Sequence, residues 1–234
     1  MSPFARSPGP RFDSAPFRLS GTIYGSLLNS RAVLDSLGAA VQQPPYKGAP
    51  RSVVLFLKPP NTIVAAGEPI LVDADVPELE VAGQLGLVLG RTACAVREAE
   101  ALAHVAGYIV VADFSAPHEM HFRPQVRFKA RDASCALGPR VVPAERIADP
   151  DALAIRVRVD GRLAQQGSTG DRVRSAARLL ADVTEFMTLS PGDILMTGAL
   201  TDPPRVRAGA RVEIDIDGLE RLETRVAEAG SPRP

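Results

Sequence analysis

The pattern of apolar and polar positions predicts many short strands and few helices. Compact apolar runs at 53–57, 85–89 and 108–112 are typical of buried strands. Residues 153–159 alternate with a period of two and end at Asp160-Gly161, which predicts a hairpin with a return strand at 162–165. The same reasoning predicts strands at 22–28, 194–197, 211–216 and 224–227, the last two joined at Asp217-Gly218.

Three segments have helical spacing, at 31–37, 97–105 and 172–189. The last is the strongest, because its apolar residues recur at intervals of three and four. Asp171 is its predicted N-cap, and Pro191-Gly192 ends it. The pattern therefore predicts one strand-dominated α+β domain over residues 18–229. Residues 1–17, rich in Pro, Ser and Arg, are expected to be a flexible tail or an arm packed on a neighbour, and 230–234 to fray.

Composition narrows the function classes. The chain of 234 residues is 45% hydrophobic and carries 27 basic and 27 acidic side chains, which argues against a general nucleic-acid or membrane-surface binder. No apolar run approaches the ~18–20 residues of a membrane span, and no secretory signal is visible. We therefore expect a cytoplasmic protein whose cysteines, Cys94 and Cys135, are reduced.

Several polar residues are candidates for chemistry. Glu78 and Glu80, one residue apart, would share a strand face and could hold a divalent cation, or they are simply solvated carboxylates. Asp113 follows a buried strand, where it meets a ligand or caps a turn. His118 and Glu119 are a candidate general base and its orienting group, or part of an ordinary polar loop. They do not form the zinc motif H-E-x-x-H, because His121 follows one residue too early.

Basic residues suggest an anionic substrate. Arg123, Arg127 and Lys129, together with Lys58, are candidates for binding a di- or tricarboxylate, although a solvated basic face is the competing interpretation. Lys129 is also a candidate for stabilising an enolate oxygen. Thr197-Gly198 offers a hydroxyl and a backbone N–H at a strand end, or is an ordinary turn.

An ordered series of segments resembles the fumarylacetoacetate hydrolase family from about residue 21 to 226. The segments are LFLKPPNT at 55–62, LGLVLGR at 85–91, VAGYIVVADFS at 105–115, KARDASCALGP at 129–139, VRVDGRLAQQGSTGD at 157–171 and EFMTLSPGDILMTG at 185–198. The resemblance implies a mixed β-roll or sandwich with a few peripheral helices. It is closest to the branch that degrades 4-hydroxyphenylacetate, in which two homologous halves or subunits form an isomerase/decarboxylase.

The resemblance also implies a metal site. Family members hold Mg²⁺ with a Glu-x-Glu pair and a later Asp, which falls on Asp113. Counted back from Gly90, the Glu positions are Ala82 and Gln84. Glu78 and Glu80 stand four residues too early, about 13 Å along a strand, so only Asp113 remains. Mg²⁺ is thus expected of the family but doubtful for this chain.

The resemblance implies reaction through the enolate of a 2-oxo acid. The implied substrates are 5-oxopent-3-ene-1,2,5-tricarboxylate and 2-hydroxyhepta-2,4-diene-1,7-dioate, and the implied catalytic residues are Lys129, Thr197, His118 and Glu119. Lys58, Arg123, Arg127 and Gly198 would bind substrate. The chain is expected as a homodimer or beside a homologous metal-bearing subunit. The alternatives are a non-catalytic partner of such a subunit and an acylpyruvate-type hydrolase.

Overall fold

The computed structural model describes residues 9–118 and 126–230. The strands are β1 Arg11–Phe12, β2 Ile23–Leu27, β3 Val54–Lys58, β4 Ile63–Val64, β5 Ile70–Val72, β6 Glu78–Leu89, β7 Val105–Ser115, β8 Cys135–Leu137, β9 Arg140–Pro143, β10 Ala154–Val159, β11 Arg162–Ser168, β12 Ile194–Met196, β13 Arg205–Arg207, β14 Arg211–Ile216 and β15 Leu222–Glu228. The helices are α1 Arg31–Leu37, α2 Glu98–Ala101, α3 Val126–Lys129 and α4 Ala176–Thr184, with 3-10 turns at Gly38–Gln42, Pro60–Thr62, Leu102–His104 and Ala144–Arg146. The predicted strand-dominated α+β class is confirmed.

The strands form two sheets. In the larger sheet the order is β1-β9-β7-β6-β12-β2-β3, with β13 added to β6, β8 to β7 and β4 to β8. The smaller sheet has the order β11-β10-β14-β15-β5. The long antiparallel pair β6–β7 lies in the middle of the larger sheet and aligns Glu80 with Ser115 and Ala82 with Asp113.

The two faces of β6 serve different purposes, because successive side chains of a strand point to opposite sides. Leu79, Val81, Leu85 and Leu87 are buried in the larger hydrophobic core, where residues of both sheets and of α4 meet. Glu80, Ala82 and Gln84 lie on the opposite face. The same alternation on β7 places Asp113 and Ser115 on that second face, so the polar residues of both strands come together there.

Gly83 allows the two sheets to approach closely beneath this polar face. A Cβ at position 83 would lie 2.9 Å from a methyl carbon of Ile214 and 3.1 Å from one of Val157, both on the smaller sheet. These distances are shorter than an ordinary van der Waals contact. The absent side chain at Gly83 therefore fixes the height of Ala82 and Gln84 above the core.

Both predicted hairpins are confirmed. β10 and β11 pair antiparallel across Asp160-Gly161, and β14 and β15 pair across the Asp217-Gly218 turn. Asp160 and Gly161 both have positive φ angles, 50° and 77°, as a two-residue hairpin turn requires. The predicted strand at 85–89 is too short, because β6 begins at Glu78.

The helix predictions were partly wrong. α1 matches its predicted bounds, and the predicted helix at 97–105 is reduced to α2 with a following 3-10 turn. The predicted helix at 172–189 is reduced to α4, whose N-cap is Ser175 rather than Asp171. Asp171 instead accepts a 2.8 Å hydrogen bond from the Ser30 hydroxyl at the start of α1. Residues 172 and 173 cannot join the helix because they pair with Asn29–Ser30.

Arg11 and Phe12 belong to the region 1–17 that was expected to be a flexible tail or an arm packed on a neighbour, but they form a strand. These residues pair in parallel with Arg140 and Val141 of β9, and Arg11 forms a 2.9 Å ion pair with Glu220. Residues 1–8 and 231–234 lie outside the described residues. Across 9–118 and 126–230, none of the helices has the length and apolar character needed to cross a bilayer.

Replacement of Gly83 tests the close approach of the sheets. We expect Gly83→Ala to lower the free energy of unfolding by about 1–3 kcal/mol, since an extra methyl forces packed side chains apart. Gly230→Ala is the control, because a Cβ there meets no atom within 4 Å. Urea denaturation measures both variants, and equal stability of the two would contradict this account of Gly83.

Candidate active site

The polar face of β6 and β7 has a buried carboxylate at its centre. The Asp113 side chain has no solvent exposure and contacts two lysine ammonium groups. Lys58 Nζ lies 2.8 Å from Asp113 Oδ1, and Lys129 Nζ lies 2.9 Å from Oδ2. The cluster of Lys58, Asp113 and Lys129, called the lysine–aspartate cluster below, carries one net positive charge when all three groups are ionised.

Lys58 is held from several sides at the end of β3. Its ammonium group donates hydrogen bonds to Phe114 O at 2.7 Å, Ser134 O at 3.1 Å and Ser134 Oγ at 3.2 Å. Its contact with Asp113 Oδ1 is an ion pair without hydrogen-bond geometry, so this oxygen accepts no hydrogen bond from the described residues. With its side chain completely buried, Lys58 is placed to fix Asp113 rather than to reach a ligand.

Lys129 has a different environment, because it lines a cavity. Its ammonium group donates 2.9 Å hydrogen bonds to Asp113 Oδ2 and Ser115 Oγ. It also lies 4.6 Å from the centroid of the Phe56 ring, an attractive cation–π distance. α3 places it there, directly after the segment 119–125 that lies outside the described residues. A ligand in the cavity would meet this ammonium group.

Electrostatics keep Asp113 ionised. Burial alone raises the pKa of Asp113, but the charges of Lys129 and Lys58 outweigh it, and the net pKa lies below the ordinary value. The opposite happens at Cys135, the partner of Asp113 on β8, where burial raises the thiol pKa to about 12. The thiol is therefore neutral and adds no charge to the lysine–aspartate cluster.

The cavity has a volume of about 240 Å³. Glu80, Ala82, Ser115, His118 and Lys129 line it, opposite residues that include Asn29 and the loop from Ala199 to Pro203. It is large enough for a small organic acid. Its wall thus combines the Lys129 ammonium group with two carboxylates, those of Glu80 and Asp202, several hydroxyls and the His118 imidazole.

Gln84 ties the two polar strands to the loop after β12. Its amide donates to Asp113 Oδ2 at 3.3 Å and its Oε1 accepts from Gly198 N at 3.2 Å. The Gly198 N–H, a predicted substrate contact, is therefore already engaged. The adjacent Thr197 is 2% exposed, and its hydroxyl has no hydrogen-bond partner within 9–118 and 126–230.

Of the remaining predicted site residues, one lines the cavity, one is described but is not part of the cavity wall, and two lie outside the described residues. His118 lines the cavity, stacks on Phe128 at 5.0 Å, and its Nδ1 lies 2.9 Å from Ala116 O. Arg127 is exposed on α3. Glu119 and Arg123 lie outside the described residues, so their predicted roles stay predictions.

Glu78 and Glu80 do not form a metal clamp. Arg207 on β13 contacts Glu78 at 3.1 Å, and Arg205 contacts Glu80 at 3.3 Å and Glu78 at 3.5 Å. Both carboxylates are thereby paired with guanidinium groups. Glu80 nevertheless lines the cavity. The sequence did not indicate this, because Glu80 precedes the implied metal positions along the strand.

Sequence reasoning missed Ser115 and Arg172. Ser115 stands two residues after Asp113 on a strand, so its shared face was visible in the spacing. Arg172 is 3% exposed and donates a 2.8 Å hydrogen bond to Gly198 O. Burial lowers its pKa to about 10. Nothing in the local sequence distinguishes Arg172 from the other arginines, because its partners come from distant segments.

The donor set at Asp113 does not fit a divalent cation. Residue 82 offers a methyl group, residue 84 an amide, and the two oxygens of Asp113 face ammonium groups. Mg²⁺ and Mn²⁺ favour several oxygen ligands, usually carboxylates, and no group of three acidic, histidine or cysteine side chains suited to a metal occurs in the described ranges. The ammonium groups of Lys58 and Lys129 provide the positive charge instead.

Two known proteins are similar in sequence to this chain over most of its length. A 4-hydroxyphenylacetate degradation bifunctional isomerase/decarboxylase of Escherichia coli is 37% identical over 90% of this chain, which covers 48% of that protein. The chain thus spans about half the length of that relative. A mitochondrial oxaloacetate tautomerase of Rattus norvegicus is 33% identical over 74% of this chain and 80% of its own length.

A solved structure with a similar fold and a family profile agree with these sequence relatives. The crystal structure of fumarylpyruvate hydrolase from Pseudomonas aeruginosa, in complex with Mn²⁺ and pyruvate, superposes with a TM-score of 0.80 and 26% identity, covering 98% of this chain and 99% of that one. The profile of the fumarylacetoacetate (FAA) hydrolase C-terminal domain matches residues 22–227. These residues are nearly all of the described structure, and the chain belongs to the fumarylacetoacetate hydrolase family.

Proposed function

We propose that this chain is an isomerase/decarboxylase subunit of 4-hydroxyphenylacetate (homoprotocatechuate) breakdown that performs the isomerisation without a divalent cation at Asp113. Its proposed substrate is 2-hydroxyhepta-2,4-diene-1,7-dioate, and 5-oxopent-3-ene-1,2,5-tricarboxylate is the substrate of the decarboxylation step. The observation that carries the proposal is the lysine–aspartate cluster at the wall of a cavity. The isomerase/decarboxylase of Escherichia coli supports the choice of pathway.

Charge balance supports chemistry without a metal. In a site built like that implied by the family resemblance, two glutamates and a dication have cancelling charges. If Ala82 and Gln84 replace the glutamates and the cation is absent, two negative and two positive charges are lost together. The net charge of the site is then unchanged and equals that of the lysine–aspartate cluster. The site can therefore stabilise an anionic enolate through Lys129, at low effective dielectric, where such an interaction is strong.

The proposed mechanism assigns a role to each side chain. Lys129 donates a hydrogen bond to the developing enolate oxygen, while Asp113 and Ser115 hold its ammonium group in place. Lys58 fixes Asp113 from below. Thr197 provides a second donor for the oxygen. His118 and Glu119 take part in proton transfer, and Arg123 and Arg127 bind the distal carboxylates of the substrate.

A second candidate function is a non-catalytic partner of a homologous metal-bearing subunit. The observation in its favour is that the chain covers 48% of the Escherichia coli relative, which leaves room there for a second unit. In the first proposal, too, such a subunit carries the metal-dependent decarboxylation. Assay of the chain alone separates the two candidates, because only the first requires intrinsic isomerase activity.

The first test measures isomerisation and decarboxylation by the purified chain, with Mg²⁺ and with EDTA. We expect isomerisation in both conditions, because Lys129 rather than a metal stabilises the enolate. Lys129→Met should lower kcat by about 100-fold or more, as removal of an oxyanion donor does. Lys129→Arg, which keeps the charge, is the comparison for folding. Loss of isomerisation in EDTA would contradict the proposal.

Thr197→Val tests the buried hydroxyl. Replacing an unpartnered buried hydroxyl with a methyl group is expected to leave the melting temperature unchanged or higher. If the hydroxyl donates to the enolate oxygen, kcat should nevertheless fall by roughly 10- to 100-fold. Steady-state kinetics and thermal melting measure the two effects separately. Full activity of the folded variant would remove Thr197 from the mechanism.

Restoring carboxylates tests the explanation of the metal site. In the double variant Ala82→Glu/Gln84→Glu, both new side chains share a face with Asp113, one directly opposite and one diagonal to it. We expect this variant to bind one Mn²⁺ per chain by titration calorimetry, and the unmodified chain to bind none at this site. Binding by the unmodified chain that Asp113→Asn abolishes would contradict the proposal.

A further inference from the structure

Glu80 is a carboxylate on the cavity wall to which the proposed mechanism gives no role. It stands on β6 directly opposite Ser115 on β7. Directly opposed residues of an antiparallel pair have Cβ atoms roughly 4.5–5.5 Å apart. The Ser115 hydroxyl accepts a hydrogen bond from Lys129 Nζ at 2.9 Å. One serine side chain therefore separates the Glu80 position from the Lys129 ammonium group.

Ala82 leaves open the space beside Glu80. Residues 80, 82 and 84 share one face of β6, and both Glu80 and Ala82 line the cavity. A methyl group at 82 blocks neither the path from the Glu80 carboxylate nor that from the Lys129 ammonium group. A planar acid in this space would therefore have a carboxylate on one side and a cation on the other.

Glu78 provides an internal contrast. It lies on the same strand and face as Glu80 and is bound by the same arginine, Arg205. It is absent from the cavity wall, where Glu80 is present. The Glu80 side chain is 17% exposed, against 56% for Arg205, so their ion pair lies at the rim of the cavity with the carboxylate on the inner side.

We infer that Glu80 is a catalytic residue and that Glu80, rather than His118 and Glu119, is the general base that moves the proton in the isomerisation. This inference rests on the proposed function. The Glu80 carboxylate accepts the proton of the 2-hydroxyl group of the dienol, and the O–H electron pair stays on the oxygen as the enolate, beside Lys129. That pair then forms the C=O bond, the π electrons shift along the chain, and the terminal carbon of the conjugated system takes the proton back from Glu80.

The step requires no further reactant. One O–H bond breaks, one C–H bond forms, and the net charge of substrate and protein is unchanged. Lys129 donates a hydrogen bond throughout and loses no proton. A purely structural role for Glu80 would instead be limited to its ion pair with Arg205, and such a pair at the surface contributes about 0–1 kcal/mol to stability.

The experiment compares Glu80→Gln with Glu78→Gln in the full chain, in EDTA, with 2-hydroxyhepta-2,4-diene-1,7-dioate as substrate. We expect Glu80→Gln to lower kcat roughly 100-fold or more, the usual contribution of a general base, with KM and melting temperature close to those of the unmodified chain. Glu78→Gln should retain full kcat. Added formate should restore part of the activity of Glu80→Ala, since it provides a carboxylate in the enlarged cavity.

The outcomes separate this inference from the function on which it rests. If the unmodified chain isomerises the substrate and Lys129→Met does not, but Glu80→Gln retains kcat within about twofold, the function stands and Glu80 is not the base. Equal loss in Glu78→Gln and Glu80→Gln would assign the effect to Arg205 and overturn the role of Glu80. An unmodified chain without isomerase activity overturns both.

Discussion

The burial of Asp113 between two lysines governs the rest of the site. Moving an ion out of water costs several kcal/mol, and this cost is offset only by close opposite charges and additional hydrogen bonds. Lys58 and Lys129 supply the charges, and Phe114 O, Ser115 and Ser134 accept further hydrogen bonds from the two ammonium groups. Because the cluster has one more cation than carboxylate, it favours an anionic ligand in the adjoining cavity.

This arrangement depends on the difference between the two faces of β6 and β7, one apolar and one polar. One face of each strand is packed in the core between the sheets, with Leu85 and Phe114 completely buried. That packing holds the opposite face, with its polar residues, at a fixed register. Gly83 brings the smaller sheet close beneath, so the core determines the position of the β6 and β7 side chains in the site.

The absence of carboxylates at positions 82 and 84 changes what the remaining side chains can do. Asp113 here binds lysines, and the small Ala82 leaves a cavity between Lys129 and Glu80. A related hydrolase was crystallised with Mn²⁺ and pyruvate, whereas in this chain the oxygens of Asp113 contact the ammonium groups of Lys58 and Lys129. The chemistry of a family member depends on the side chains of its own site, since a shared fold does not imply a shared mechanism.

The sequence alone determined the features that depend on neighbouring residues. The two Asp-Gly hairpins, the bounds of α1 and the family followed from local patterns, and counting back from Gly90 identified Ala82 and Gln84 as the residues at the two glutamate positions that the resemblance implies. Only the tertiary structure decided the length of β6, the start of α4 and the place of Glu80 at the cavity. The physical reason is distance along the chain. Arg205 contacts Glu80 across 125 residues, and pairing with Asn29 and Ser30 keeps residues 172–174 out of a helix. Local periodicity carries no information about such partners.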